Sequence, residues 1–258
     1  MALIKSTEDI QKLRIAGALL SDALGAAVKA VKPGVTMAEL DKIAEKAIRA
    51  GGGEPSFFEY TAGGDMPFPA TMCISRNHEL IHGTGNRDEV LEEGDYVGLD
   101  IGLWLDGVCV DMAMTVPVGE IAGDIRQLLN VTKASLANGI KAAKAGVPLQ
   151  SISQAIENTI KPHGYGIITS YGGHGVGHEV HEDPFIPNYA SKEHPNPELK
   201  SGMVLALEPM VVIGEPELEI GNDNWVAMTA DGSAAAHFEQ TIAITESGAE
   251  ILTPFPEV

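Results

Sequence analysis

Two apolar runs, Tyr96–Leu105 and Val108–Val116, are separated only by Asp106-Gly107. This dipeptide is a strong signal for a two-residue β-hairpin, so the turn dictates the register of both strands. Leu105 pairs with Val108, Asp100 then faces Ala113, and Asp111 faces Gly102. The two aspartates become diagonal neighbours on one face, with Cβ atoms roughly 7–8 Å apart or somewhat closer. A three-residue turn would set them on opposite faces. Their neighbours Leu99, Ile101, Leu103, Val110 and Met112 are apolar. An ionised carboxylate in such surroundings is costly unless it is paired or holds a cation. Two on one face can clasp one cation, or two cations roughly 3.5–4 Å apart.

The elements around this hairpin recur. Ser6, Thr7, Glu8 and Asp9 supply a cap and an acidic first turn. Ile10, Leu13, Leu20, Leu24, Ala27 and Val31 follow at helical spacing until Lys32-Pro33-Gly34. Thr36 with Glu39 reads as a capping box for a second helix, whose apolar face is Leu40, Ile43, Ala47 and Ile48 and whose stop is Gly51-Gly52-Gly53. About 112 residues later, 122–145 predicts another long helix, and Lys144-Ala145-Gly146-Val147 echoes Lys32-Pro33-Gly34-Val35. Ile152, Ile156 and Ile160 echo Leu40, Ala44 and Ile48. Strand-like runs follow each helix pair, at 94–117 and then at 202–213 and 236–244. Two copies are too few for a solenoid. The pattern predicts a duplicated α/β unit with a pseudo-two-fold axis and a site between its halves.

The second half carries its own strand-borne acids. Glu208 interrupts Met203–Leu207, and Glu239 sits between Phe238 and Ile242. GMVLALE aligns with GDYVGLD, which makes Glu208 the counterpart of Asp100 and Glu239 that of Asp111. Residues 171–184, YGGHGVGHEVHEDP, add His174, His178 and His181 among glycines that let groups crowd together. His78-Glu79-Leu80-Ile81-His82 matches H-E-x-x-H, a zinc-protease helix signature. That chemistry needs both histidines on one helical face. Cys73-Ile74-Ser75 reads as strand and Gly83-Thr84-Gly85-Asn86 ends any helix, so the match is expected to be coincidental.

Composition narrows the field further. The 258 residues include 17 Lys+Arg and 36 Asp+Glu, a formal charge of −19. That balance lacks the basic footprint of general nucleic-acid binding and disfavours an anionic membrane surface. Two cysteines, Cys73 and Cys109, do not make a disulfide framework. Glu8, Asp9, Lys12 and Arg14 break any apolar leader, and no run of 18 apolar residues marks a membrane span. The cytoplasm is the expected compartment.

CISRNHELIHG at 73–83, GDYVGLDIGLWLDGVCVDMAMT at 94–115, YGGHGVGHEVHEDP, SGMVLALEPM and AHFEQTIAIT carry a specific resemblance. In order and spacing they resemble the motifs of the type I methionine aminopeptidases, of the pita-bread metallopeptidase superfamily, over nearly the whole chain. The resemblance implies an α/β (α+β) pita-bread fold, with a curved antiparallel sheet covered by helices. It implies one catalytic domain over 1–258 with halves of roughly 1–120 and 121–258. Its five metal ligands fall on Asp100, Asp111, His174, Glu208 and Glu239. Two divalent ions are implied, of Co, Mn, Fe or Zn, and four carboxylates would balance them.

The implied activity is removal of the N-terminal methionine from nascent polypeptides, preferentially before a small second residue, by attack of a dinuclear metal-bound hydroxide. Glu208 would relay protons, His181 would steady the tetrahedral oxygen, and His82 would contact the peptide near the scissile nitrogen. Phe68, Trp225 and Val180 are the expected pocket residues. A monomer, in transient contact with ribosomes, with no direct nucleic acid or membrane partner, is also implied. Val180 stands where many members carry Phe, Gln240 where His is usual, and Arg76 and His78 are uncommon at their positions. Val before His-Glu is familiar from the Xaa-Pro peptidase branch, so Xaa-Pro cleavage is one alternative. A catalytically dead peptide-binding member is the other; such members lose ligands, and none is lost here.

Overall fold

The computed structural model describes residues 4–61 and 66–257. In the first half, helices α1 (Thr7–Ala30) and α2 (Met37–Ala50) precede β1 (Glu54–Pro55), β2 (Met72–Arg76), β3 (Glu79–Ile81), β4 (Tyr96–Leu105) and β5 (Val108–Pro117). In the second, α3 (Gly123–Ala142) and α4 (Gln150–Ile160) precede β6 (Gly166–Ile167), β7 (Gly173–Gly175), β8 (Glu182–Ile186), β9 (Val204–Leu207) and β10 (Met210–Val212). The chain then forms β11 (Leu218–Ile220), β12 (Ala227–Thr229), β13 (Ala235–Ile244) and β14 (Ala249–Ile251). Helices α1 and α2 open on reciprocal capping boxes, Ser6 with Asp9 and Thr36 with Glu39. Helix α3 falls short of the 122–145 span expected and opens at Ala122, which has no capping side chain. The run at 202–213 splits into β9 and β10. Pro209 has no N–H to offer a ladder, and the Glu208 carbonyl accepts from Asn188 Nδ2 at 3.0 Å.

The main sheet runs β1-β4-β5-β13-β9-β7-β8, antiparallel throughout; β2 adds to β4, while β10 and β14 add to β13. A smaller sheet runs β11-β12-β3. Asp106 and Gly107 both have positive φ, 49° and 80°, as a type I′ turn requires. The β4–β5 register is the expected one, with Asp100 opposite Ala113 and Asp111 opposite Gly102. Helix α1 packs on β4 and β5, and α3 packs on β13. Because side chains alternate across a strand, Leu99, Ile101, Leu103, Val110 and Met112 share one face, and all five are fully buried.

The opposite face presents three successive rungs. In the first, Asp111 faces Thr241, Thr241 pairs with Ala206, and Ala206 pairs with His174. In the second, Asp100 and Glu239 flank Ala113, and one further step of the β13–β9 register sets Glu208 beside Glu239. In the third, Thr115 faces His237, which pairs with Met210. A threonine hydroxyl closes each end of the β5–β13 ladder. Thr241 Oγ1 accepts from Asp111 N at 3.1 Å and donates to Asp111 O at 2.8 Å. Thr115 Oγ1 accepts from His237 N at 3.0 Å and donates to His237 O at 2.8 Å.

This symmetry centres the pseudo-two-fold on the Ala113–Glu239 pair. It relates Asp100 to Glu208, as the sequence alignment did. It relates Asp111 to His237, however, and Glu239 to Ala113, so Glu239 is not the counterpart of Asp111. The second copy is not a hairpin. β9 and β13 are separated by the excursion through β10, β11 and β12, so linear spacing does not carry the register there.

Asp41 of α2 ties the helix to the sheet: it is buried and accepts from Met72 N at 2.8 Å. Burial pushes its carboxyl up to about 6. A carboxyl raised above its unfolded value stabilises the fold fully below about pH 4, and that stability is lost as pH rises through about 6. Between pH 4 and pH 7 the wild type should lose about 2–3 kcal/mol that Asp41→Asn does not lose, read from urea denaturation at both pH values.

Candidate metal centre

The acid-bearing rungs form the floor of a cavity of about 680 Å³, on whose wall Asp100, Asp111, His174, Glu208 and Glu239 all lie. Asp111, His174 and Glu239 each bring a donor atom within 4.8 Å of the others. His174 Nε2 lies 3.7 Å from Glu208 Oε1 and 3.9 Å from Glu239 Oε1. Its Nδ1–H donates to the Gly175 carbonyl at 2.9 Å, and burial lowers its pKa to about 3. The ring is therefore neutral, with a bare lone pair on Nε2 aimed at the acids.

The electrostatics are unfavourable without a cation. Burial pushes Asp100 up to about 7, against the pull of a hydrogen bond from the Cys73 thiol. Burial, and then the charge of Asp100, raises Asp111 well above the usual range. Glu208 and Glu239 are raised by burial and then by the neighbouring acids. Among the described residues no Lys or Arg lines the cavity. Asp100 Oδ1, Asp111 Oδ1 and Glu239 Oε1 are buried with no hydrogen-bond partner. Orphaned acceptors on crowded acids, beside a neutral imidazole, are a donor set that fits a divalent ion; the mixed N/O character suits Mn, Fe, Co or Zn.

The profile of metallopeptidase family M24 matches residues 11–246. The chain belongs to this family. A methionine aminopeptidase of Clostridium acetobutylicum is 43% identical, the match covering 98% of this chain and 99% of that protein. Methionine aminopeptidase 1 of Bacillus subtilis is also 43% identical, with the same coverage. The crystal structure of methionine aminopeptidase from Thermotoga maritima superposes with a TM-score of 0.93 at 39% identity, over 100% of both chains. An Xaa-Pro dipeptidase from Bacillus anthracis gives a TM-score of 0.78 at 25% identity, over 100% of this chain and 63% of that one. The fold is thus the pita-bread fold, and family membership implies divalent metal use.

The remaining expected residues divide between cavity and surface. His82 and His181 line the cavity, with Phe68 and Trp225, whose rings meet edge to face at 5.1 Å. His82 holds a positive φ of 60° and faces Tyr171 at 5.6 Å; burial lowers its pKa to about 4. The Tyr60 hydroxyl lies 2.8 Å from His181 Nδ1. His178 is exposed and faces Asp9 at 3.6 Å, away from the cavity. His78 is exposed beside β3, and Glu79 of the H-E-x-x-H match is engaged by Arg87 at 2.7 Å, so the motif is strand and turn.

One expectation changes. Val180 does not line the cavity; it is buried in the hydrophobic core while its chain neighbour His181 takes the cavity wall. Gln240 follows Glu239 on β13 and so points to the other face, where its Nε2 donates to Thr253 O at 2.9 Å. The sequence reading also passed over Phe57, Tyr60, Tyr171 and, above all, His237. Strand alternation was the available signal, since residue 237 shares the face of residue 239.

Thr241→Val would leave the buried Asp111 N–H without its acceptor. It should cost about 1–3 kcal/mol of stability in urea denaturation, and it should lower the divalent metal retained after dialysis.

Proposed function

We infer that this chain hydrolyses the first peptide bond of polypeptides that begin with methionine, preferring a small second residue. Asp100, Asp111, His174, Glu208 and Glu239 would hold two divalent ions. The observation that carries this reading is the convergence of all five side chains on one cavity whose other walls include Phe57, Tyr60, Phe68 and Trp225. Bound there, divalent ions would supply a Lewis acid for the scissile carbonyl and acidify the attacking water.

The chain's own residues would do the rest. The aromatic walls take the flexible, polarisable methionine side chain. Glu208, raised by burial and then by its acidic neighbours, is the proton carrier, accepting from the attacking water and donating to the leaving amine. Burial raises the Tyr60 phenol, so it remains an O–H donor, and lowers the His181 imidazole. With Tyr60 donating to Nδ1, His181 presents Nε2–H to the oxygen that develops charge. His82 contacts the peptide near the scissile nitrogen.

Similarity of 43% to methionine aminopeptidases, against 25% to an Xaa-Pro dipeptidase, favours this reading over Xaa-Pro cleavage. The complete ligand set favours it over an inactive binding protein. Among the described residues no helix is long and apolar enough to cross a membrane. A single catalytic domain, a monomer, a cytoplasmic location and transient contact with ribosomes are the companion readings implied by the resemblance.

Hydrolysis of Met-Ala-Ser and Ala-Pro peptides with added Mn²⁺ or Co²⁺ tests the proposal. Met-Ala-Ser should be cleaved, and Asp111→Asn should abolish that cleavage while leaving the circular dichroism unchanged. Preference for Ala-Pro, or full activity of Asp111→Asn, would overturn the assignment. His82→Ala should lose on the order of 10²-fold or more in kcat/KM, whereas His78→Ala should retain most of it. Equal, severe losses would restore the H-E-x-x-H motif to the mechanism.

A further inference from the structure

His237 has no place in the five-residue ligand set, yet its surroundings match those of His174. Its Nε2 is buried, has no hydrogen-bond partner, and lies on the cavity wall. It sits 3.6 Å from Glu208 Oε2 and 3.8 Å from Glu239 Oε2. His174 Nε2 sits 3.7 Å and 3.9 Å from the other oxygens of the same two glutamates. The glutamate pair is therefore held between two imidazoles, each approaching one oxygen of each acid.

These separations have a chemical meaning. They are too long for hydrogen bonds, which run about 2.7–3.2 Å. Donor atoms on one ion at about 2.0–2.2 Å, with angles near 105–120°, lie about 3.2–3.8 Å apart. The spacing around His237 is that of ligands sharing an ion. Two further observations agree. The His237 backbone is fixed on both its N–H and its C=O by Thr115 Oγ1, at 3.0 Å and 2.8 Å, so the ring stands on a rigid strand. The pseudo-two-fold of the sheet places His237 where the other half places Asp111, itself in the ligand set.

We propose that His237 is a sixth metal-ligating residue, giving this centre two imidazole ligands, one on each side of the Glu208–Glu239 pair. The proposal rests on the metal reading above and goes beyond its ligand set. It assigns the ring to direct coordination rather than to packing.

The test is proton NMR of the full chain, stripped of metal by chelation and reloaded anaerobically with Co²⁺. Each Co²⁺-bound imidazole keeps one N–H whose resonance is strongly shifted by the unpaired electrons and disappears in D₂O. The wild type should show two such resonances. One should vanish in His237→Gln and the other in His174→Gln. His237→Gln should also bind Co²⁺ about 10–100-fold more weakly in calorimetric titration. A single shifted resonance in the wild type, or two that both survive in His237→Gln, would overturn the role of His237 while leaving the metal centre intact. No shifted resonance together with no Co²⁺ binding would overturn the metal reading itself. Should His237→Gln fail to fold, His237→Asn replaces it, and a one-resonance wild type remains decisive alone.

Discussion

Four carboxylates crowded onto one face of one sheet, Asp111 and Glu239 buried and Asp100 and Glu208 largely so, with no Lys or Arg among the described residues of the cavity wall they share, is the constraint around which this molecule is arranged. Burial raises the cost of ionising all four, and the neighbouring acids raise it further for Asp111, Glu208 and Glu239. A divalent ion, whose use family membership implies, reconciles ionised acids with such a site. The rest of the architecture follows from the need to hold those acids still. They stand on the central strands β4, β5 and β13 and just beyond the end of β9, where the ladder fixes the backbone. Leu99, Ile101 and Met112 on the opposite face anchor the same strands in the core.

The two threonine hydroxyls show how that rigidity is obtained at the seam between the halves. Between β5 and β13 the ladder proper covers Phe238, Glu239 and Gln240. Beyond it on either side, Thr241 and Thr115 each satisfy an N–H and a C=O of the strand opposite. The residues so fixed are Asp111 and His237. Both present side chains to the cavity, one from each half. The seam is thus at once the closure of the fold and the mounting of the site.

Much of this was legible in the residues. Asp106-Gly107 dictated the hairpin, and with it the diagonal of Asp100 and Asp111 on one face. The capping boxes at Ser6 and Thr36 marked where α1 and α2 begin. Acids interrupting apolar strands marked the cavity floor. Three things were not legible, each because it depends on tertiary placement. The counterpart of Asp111 is His237, which only the β5–β13 register reveals. Val180 and His181 are adjacent in sequence, yet one enters the core and the other the cavity. Phe57, Tyr60 and Tyr171 join the expected Phe68 and Trp225 on the cavity wall from segments far apart in the chain, and no local pattern announces them.

The central claim is that divalent ions hold the acid cluster together. The most direct measurement is the melting temperature at neutral pH with chelator and with excess Mn²⁺, for the wild type and for the double variant Asp100→Asn, Glu239→Gln. Ligand at 100 times its dissociation constant stabilises by about 2.7 kcal/mol, which for a chain of this size is about 5–10 °C. The wild type should gain at least that on adding Mn²⁺, and the double variant, with two acids neutralised, should gain little. A wild type whose melting temperature is the same with chelator as with Mn²⁺ would contradict the account.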